Sequence, residues 1–270
     1  MTVQSNSNAP RSRLLQRLYR LQGLLDIAAI SAWGALLLQY WLTGKIKLLL
    51  HPNYIWLAYS AGFALLGLAL FKIAQLLVRA TKQRRKSRPV VPPMQHLSLF
   101  PPGWSSALLL AVAIFGLQFT PKPFASQVAL DRGVTETLSL TRSQPQAFRA
   151  ATKPENRSII DWVRTLNVYP EPDAYTGQKV SVEGFVIHLP NIPETHIGIA
   201  RFVITCCAAD VYPVGLPVKL PSGNRSAYPV DKWYRVEGEM ITETIADKRQ
   251  LVISAKSLTE IPTPDNPYES

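Results

Sequence analysis

Three apolar stretches in the first 121 residues constrain this 270-residue chain more than anything else in it. The first runs from about Leu21 to Leu42, broken only by Asp26 and Gln39, and the second from about Tyr54 to Val78, with Lys72 near its end. The third, Trp104 to Phe119, is shorter, and Leu97–Phe100 extends it through Pro101-Pro102. A helix needs about 20 apolar residues to cross the hydrocarbon core, where every backbone polar group must be bonded internally. The expected architecture of residues 21–120 is therefore an α-helical membrane region of three transmembrane helices. Small residues at Ala28/Ala32, Ser31/Ala35 and Gly62/Gly67 offer places where such helices approach closely.

Charge placement orients the helices. Arg11, Arg13, Arg17 and Arg20 precede the first stretch, and Arg79, Lys82, Arg84, Arg85, Lys86 and Arg88 lie between the second and third. The intervening loop has only Lys45 and Lys47, and Lys122 alone closely follows the third stretch. The positive-inside rule then assigns the basic N-terminus (1–20) and the basic loop 79–96 to the cytoplasm. Three crossings leave everything after about residue 121 outside, so the expectation is a multi-pass protein of the cell (inner) membrane. A cleaved signal peptide is not expected, because the first stretch is long and two more follow.

The overall charge of +11 suggests a nucleic-acid binder only until the chain is divided. Residues 1–121 hold 13 Lys/Arg against one acid, whereas residues 122–270 hold 16 Lys/Arg against 17 Asp/Glu. A DNA or RNA binder carries its positive charge on the binding domain. Here the soluble part is neutral, so no nucleic-acid partner is expected.

Residues 121–157 are polar, rich in Pro, Ser, Thr and Gln, and read as a linker. Ile159, Trp162, Val163 and Leu166 then recur at helical spacing, with Ser158 as N-cap and Asp161 in the first turn. Strands are expected at Lys179–His188, Ile199–Cys206, Leu216–Leu220, Lys232–Ile241 and Gln250–Ala255. Val182-Glu-Gly184 and Val236-Glu-Gly238 repeat one pattern, and a glycine inside a strand marks a bulge or a tight corner. Five strands in about 80 residues, two of them kinked at glycine, point to a mainly β, OB-like small barrel over residues 158–262, with 263–270 as a tail. Phe185, Phe202, Trp233 and Tyr234 are expected to pack in its core.

Motifs for an enzyme are missing. The chain holds no hydrolase elbow, Walker loop, dinucleotide-binding fingerprint or zinc-protease helix, and no enzymatic activity is expected. Its only cysteines are adjacent, in Arg201-Phe-Val-Ile-Thr-Cys-Cys-Ala-Ala-Asp210. Neighbouring Cα atoms sit about 3.8 Å apart, below the usual span of a disulfide, so a bond between them would be strained. Burial as filler, a soft-metal site and a thiol switch all remain open.

On a continuing strand Cys206 and Cys207 point to opposite faces. If the strand ends near Thr205, the segment can turn and bring both towards Asp210. Cys206, Cys207 and Asp210, with His196 flanking the Leu189–Thr195 loop, would suit zinc or copper. Arg201 is expected to pair with Asp210 or with an acid on a neighbouring strand.

Arg201–Asp210, with Val180-Ser-Val-Glu-Gly-Phe185 upstream and Trp233-Tyr-Arg-Val-Glu-Gly238 downstream, resembles the YcgQ-like family of two-component membrane permease subunits. The likeness covers roughly residues 158–260, and Cys-Cys-Ala-Ala-Asp is its most specific part. It implies a membrane-anchored accessory subunit, a polytopic YcgR-like permease as partner in the same bilayer, and a role in transport of metal ions or in stress tolerance. It marks Arg201, Cys206, Cys207 and Asp210 as the motif positions. The alternative expectation is a stand-alone extracytoplasmic metal- or thiol-binding module, acting as chaperone or sensor.

Overall fold

The computed structural model describes residues 9–83, 103–134, 153–190, 192–245 and 248–269. Residues 1–8 of the basic N-terminus, residues 84–96 of the basic loop and residues 135–152 of the linker lie outside the described residues. The chain forms two compact units, one of residues 1–46 and 53–121, the other of residues 47–52 and 122–270.

The first unit is helical: α1 (Ala9–Leu42), α2 (Ile55–Gln83) and α3 (Trp104–Gln118). Two stretches are long and apolar enough to cross a membrane, Leu21–Leu42 with mean hydropathy 1.6 and Pro52–Val78 with 2.0. The third helix has 15 residues, about 23 Å of rise, which is shorter than the roughly 30 Å hydrocarbon core. Gly34 and Gly62 face each other where α1 meets α2, and a Cβ on Gly34 would stand 2.9 Å from Leu66 Cγ. Of the glycine pair anticipated on α2, Gly62 sits at this contact and Gly67 has nothing within 4 Å. Helix α3 lies along α1: Trp33 Nε1 donates to the Leu109 carbonyl at 3.0 Å and the Tyr40 hydroxyl to the Gly116 carbonyl at 2.6 Å. Asp26 accepts from the Ser106 hydroxyl, so the acid of the first stretch has a partner within the helical unit.

The second unit is a mixed six-stranded sheet of β1 (Lys179–Ile187), β2 (His196–Val203), β3 (Tyr212–Lys219), β4 (Trp233–Ile245), β5 (Lys248–Ile261) and β6 (Tyr268–Glu269). β1 pairs antiparallel with both β4 and β2, β2 with β3, and β4 with β5, while β3 and β5 pair in parallel. The ladder therefore returns to its start in the circuit β1-β2-β3-β5-β4-β1. β6 adds parallel to β2 at Phe202 and Val203, beyond the point where β1 leaves it.

Local sequence explains most of these elements. Helix α5 (Ile159–Val168) starts in a capping box: Asp161 N donates to Ser158 Oγ, and Ser158 N to the Asp161 carboxylate. Its apolar stripe puts Ile159, Trp162 and Val163 against Val182, Ile197, Ile199, Val236, Met240 and Ile253 of the sheet. Burying one such side chain stabilises by about 1.5–3 kcal/mol relative to exposure. A second cluster joins Phe185, Phe202, Trp233 and Tyr268, with the Phe185 and Phe202 rings stacked at 5.3 Å. Tyr234 joins the first cluster, so all four strand aromatics named above pack inside. At Gly238 the β4–β5 register shifts, and a Cβ there would meet the Ser254 carbonyl oxygen at 2.1 Å. No side chain fits.

Several sequence boundaries differ from what is observed: β3 starts four residues earlier, at Tyr212, and β4 and β5 run on to Ile245 and Ile261. The linker is in part structured: α4 (Ser126–Asp131) buries Ala129 in the second cluster, and Ser126 N bonds Asp231 at 2.5 Å. The tail is not free, since Tyr268 and Glu269 form β6 and are buried. β2 begins and ends three residues earlier than expected, because His196 is held inside by its own hydrogen bonds and Ile204 turns away after bonding Glu269.

Candidate metal centre

The earlier end of β2 decides between the two readings of the cysteine pair. Beyond Val203 the chain leaves the ladder, and Thr205–Asp210 closes into a turn in which Asp210 N donates to the Cys207 carbonyl at 3.0 Å. The Asp210 carboxylate fastens this turn. It accepts from Cys206 N at 2.8 Å, from Cys207 N at 3.1 Å and from the Thr205 hydroxyl. An aspartate at this position is therefore what folds the pair back on itself.

The result is one cluster. The thiols of Cys206 and Cys207 and a carboxylate oxygen of Asp210 lie within 4.8 Å of one another, with Cys206 exposed and the other two half-buried. The Sγ atoms are 3.6 Å apart and not bonded. Two thiolates at about 2.3 Å from a tetrahedral zinc lie about 3.8 Å from each other, so the pair already spans one tetrahedral edge. Nothing need move far to bind.

Electrostatics point the same way. The Cys206 thiol is pushed up to about 11, first by its hydrogen bond to Asp210 and then by Cys207. Asp210 is held below its ordinary range: burial alone would raise it, but hydrogen bonds from Thr205, the Cys206 thiol and the two backbone amides outweigh that. Among the described residues no Lys or Arg pairs with Asp210. A thiol pushed up is a poor nucleophile at neutral pH, which disfavours a thiol switch. A cation would reverse the repulsion and displace the thiol protons.

One sequence expectation is corrected here and another is narrowed. His196 does not join the cysteines: it opens β2, and eight residues of strand at about 3.3 Å each hold it some 23 Å from the turn. Its ring is buried, with Nδ1 at 3.0 Å from Thr195 Oγ1 and Nε2 at 3.3 Å from Glu243. Arg201 takes the second of its two expected partners, an acid on a neighbouring strand, and not Asp210. It meets Glu269 at 3.3 Å, donates to the Asn266 carbonyl at 3.1 Å and stacks over Trp233 at 5.5 Å. Glu269 also accepts from Ile160 N at 3.1 Å, so Arg201 ties β2 to β6 and the start of α5.

Sequence reading missed one contributor. Residues 47–52 belong to the sheet unit, and Leu50 forms an antiparallel bridge with Cys207. His51 N donates to the Cys206 carbonyl at 3.1 Å and Ala208 N to the Leu49 carbonyl at 2.9 Å. The segment had looked like a short connection between two membrane stretches; no local signal marks it as a strand.

Comparison with known proteins gives a family and no activity. No curated protein and no solved structure matches the chain. Residues 25–135 match the DUF1980 N-terminal domain, and residues 155–269 match the DUF1980 C-terminal domain, which contains the whole cysteine turn. The helical stretch and the sheet are thus the two successive parts of one family's pattern, and the chain belongs to the DUF1980 family.

Proposed function

We propose that this chain is a membrane-anchored accessory subunit of a permease whose OB-like domain, outside the cytoplasm, holds zinc or copper at Cys206, Cys207 and Asp210. The observation that carries this reading is the carboxylate-fastened turn, with two thiols spaced as on a tetrahedral metal and no Lys or Arg paired with Asp210 among the described residues. The OB-like reading is supported by the closed circuit of strand pairings and the bulge at Gly238. The three-span topology, with N-terminus and basic loop in the cytoplasm, is supported by the two long apolar helices and by α3 lying along α1.

A partner is part of this reading. The helical unit leaves Trp56, Phe63, Leu70, Leu108 and Phe115 exposed, as lipid or another membrane protein would require. Asp26 and Lys72 are too few charged groups to line a solute path alone. A polytopic YcgR-like permease fits that surface. The test is purification of the full chain in mild detergent, followed by metal analysis and identification of companions. Zinc or copper near one equivalent, lost in Cys206→Ser, together with a co-purifying permease, is the expected outcome. Metal without a companion would favour the stand-alone chaperone or sensor, and neither would remove both readings.

A further inference from the structure

We propose that His51 supplies the fourth ligand of this centre and that its metal is zinc. The inference rests on the metal-site reading above and extends it to a residue that stands 155 positions earlier in the chain. The bridge Leu50–Cys207, with its flanking bonds His51 N to Cys206 O and Ala208 N to Leu49 O, fixes an antiparallel register. In that register His51 stands directly across from Cys206. Cross-strand neighbours carry their Cβ atoms about 4.5–5.5 Å apart on one face, within reach of a side-chain rotation.

The other histidines do not compete. His196 opens β2, and His188 follows Ile187, which pairs with Gly198, so both stand at the far end of β2 from the turn. His96 lies outside the described residues. Two thiolates, one imidazole and one carboxylate make a closed set of four, which suits tetrahedral zinc. An oxygen donor suits copper(I) less well, since that ion selects soft thiolate and thioether ligands. Binding releases the two thiol protons to solvent and leaves the imidazole neutral. The ion then clamps residues 47–52 onto the turn.

The experiment titrates the full chain in detergent with zinc against a chromogenic chelator, and records the absorption spectrum of the cobalt(II) form. Wild type is expected to bind one zinc and to give a tetrahedral cobalt spectrum. His51→Ala should weaken zinc by at least the roughly 10–100-fold that loss of even an outer-shell partner costs. Added imidazole, or His51→Cys, should recover affinity, which a merely structural role would not allow. Wild-type affinity and an unchanged cobalt spectrum in His51→Ala would overturn the assignment while leaving the cysteine site intact. Weakening that neither imidazole nor His51→Cys repairs would also overturn it. Failure of the wild type itself to bind zinc, or loss in His51→Ala with no loss in Cys206→Ser, would remove the underlying metal-site reading.

Discussion

Two charged clusters grow from neighbouring parts of the same chain segment, and they are built on opposite principles. Around Arg201, a cation meets the Glu269 carboxylate, a backbone carbonyl and an aromatic face, and Glu269 in turn meets a helix N-terminus. Charge is balanced there and both side chains are largely buried. Around Cys206, two thiols and a carboxylate converge at the surface without a Lys or Arg on Asp210 among the described residues. The first cluster balances its charge without any ligand, although Arg201 Nε is buried without a hydrogen-bond partner. The second gathers like charge as soon as it deprotonates, which a bound cation would offset. On the proposed reading, Arg201 serves stability within this motif, and Cys206, Cys207 and Asp210 serve metal binding.

The largest test of this contrast is Glu269→Ala. Removing one partner of a buried ion pair costs about 3–5 kcal/mol, so thermal unfolding of the sheet should fall steeply while metal affinity changes little. Comparable loss from Asp210→Ala and none from Glu269→Ala would invert the assignment. Next comes the metal itself: zinc at about a hundredfold above its Kd should stabilise by about 2.7 kcal/mol. For a unit of this size that is a rise of roughly 5–10 °C in Tm, expected in wild type and absent in Cys206→Ser.

Asp210→Asn removes the main cause of the raised thiol, so alkylation of Cys206 at pH 8 should accelerate by about tenfold or more. Equal rates would mean that the carboxylate does not govern the thiol. Asp210 also has a pH signature with a definite sign. Its folded pKa is lowered, so its support of the turn is full above the unfolded value of about 3.9 and is lost as pH falls through the folded one. Protection of the Cys206 and Cys207 amides, relative to their intrinsic exchange rates, should therefore fall only in that acid window, and Asp210→Asn should abolish the dependence. The smallest effect is the stability of metal-free Cys206→Ser, which should lie within about 0.5 kcal/mol of wild type, since the thiol is exposed.

How legible this was depended on how local each signal is. Ser158 as N-cap with Asp161 in the first turn needs only four residues to be read, and the structure completes the pair as a capping box. Both glycines of the repeated Val-Glu-Gly pattern sit in strands, and Gly238 marks the bulge. The turn at Cys206 was one of two alternatives, because alternation alone does not say where a strand stops. His196 was misassigned since loop proximity in sequence says nothing about which end of the following strand a site occupies. Glu269 and residues 47–52 were invisible for the same reason in stronger form. A two-residue strand after a Pro-rich stretch has no periodicity, and a hairpin loop between apolar helices carries no mark of a distant partner.

The bridge between Leu50 and Cys207 has a consequence for how such a molecule could be recombined. A cut at residue 122 would part the sheet from one of its own edge pieces, which travels with the helices. The C-terminal part is thus no portable cassette: moved onto a different anchor, it would lack the strip that covers its cysteine turn. Exchange of anchors would have to carry residues 47–52 along, so the two halves are bound to change together.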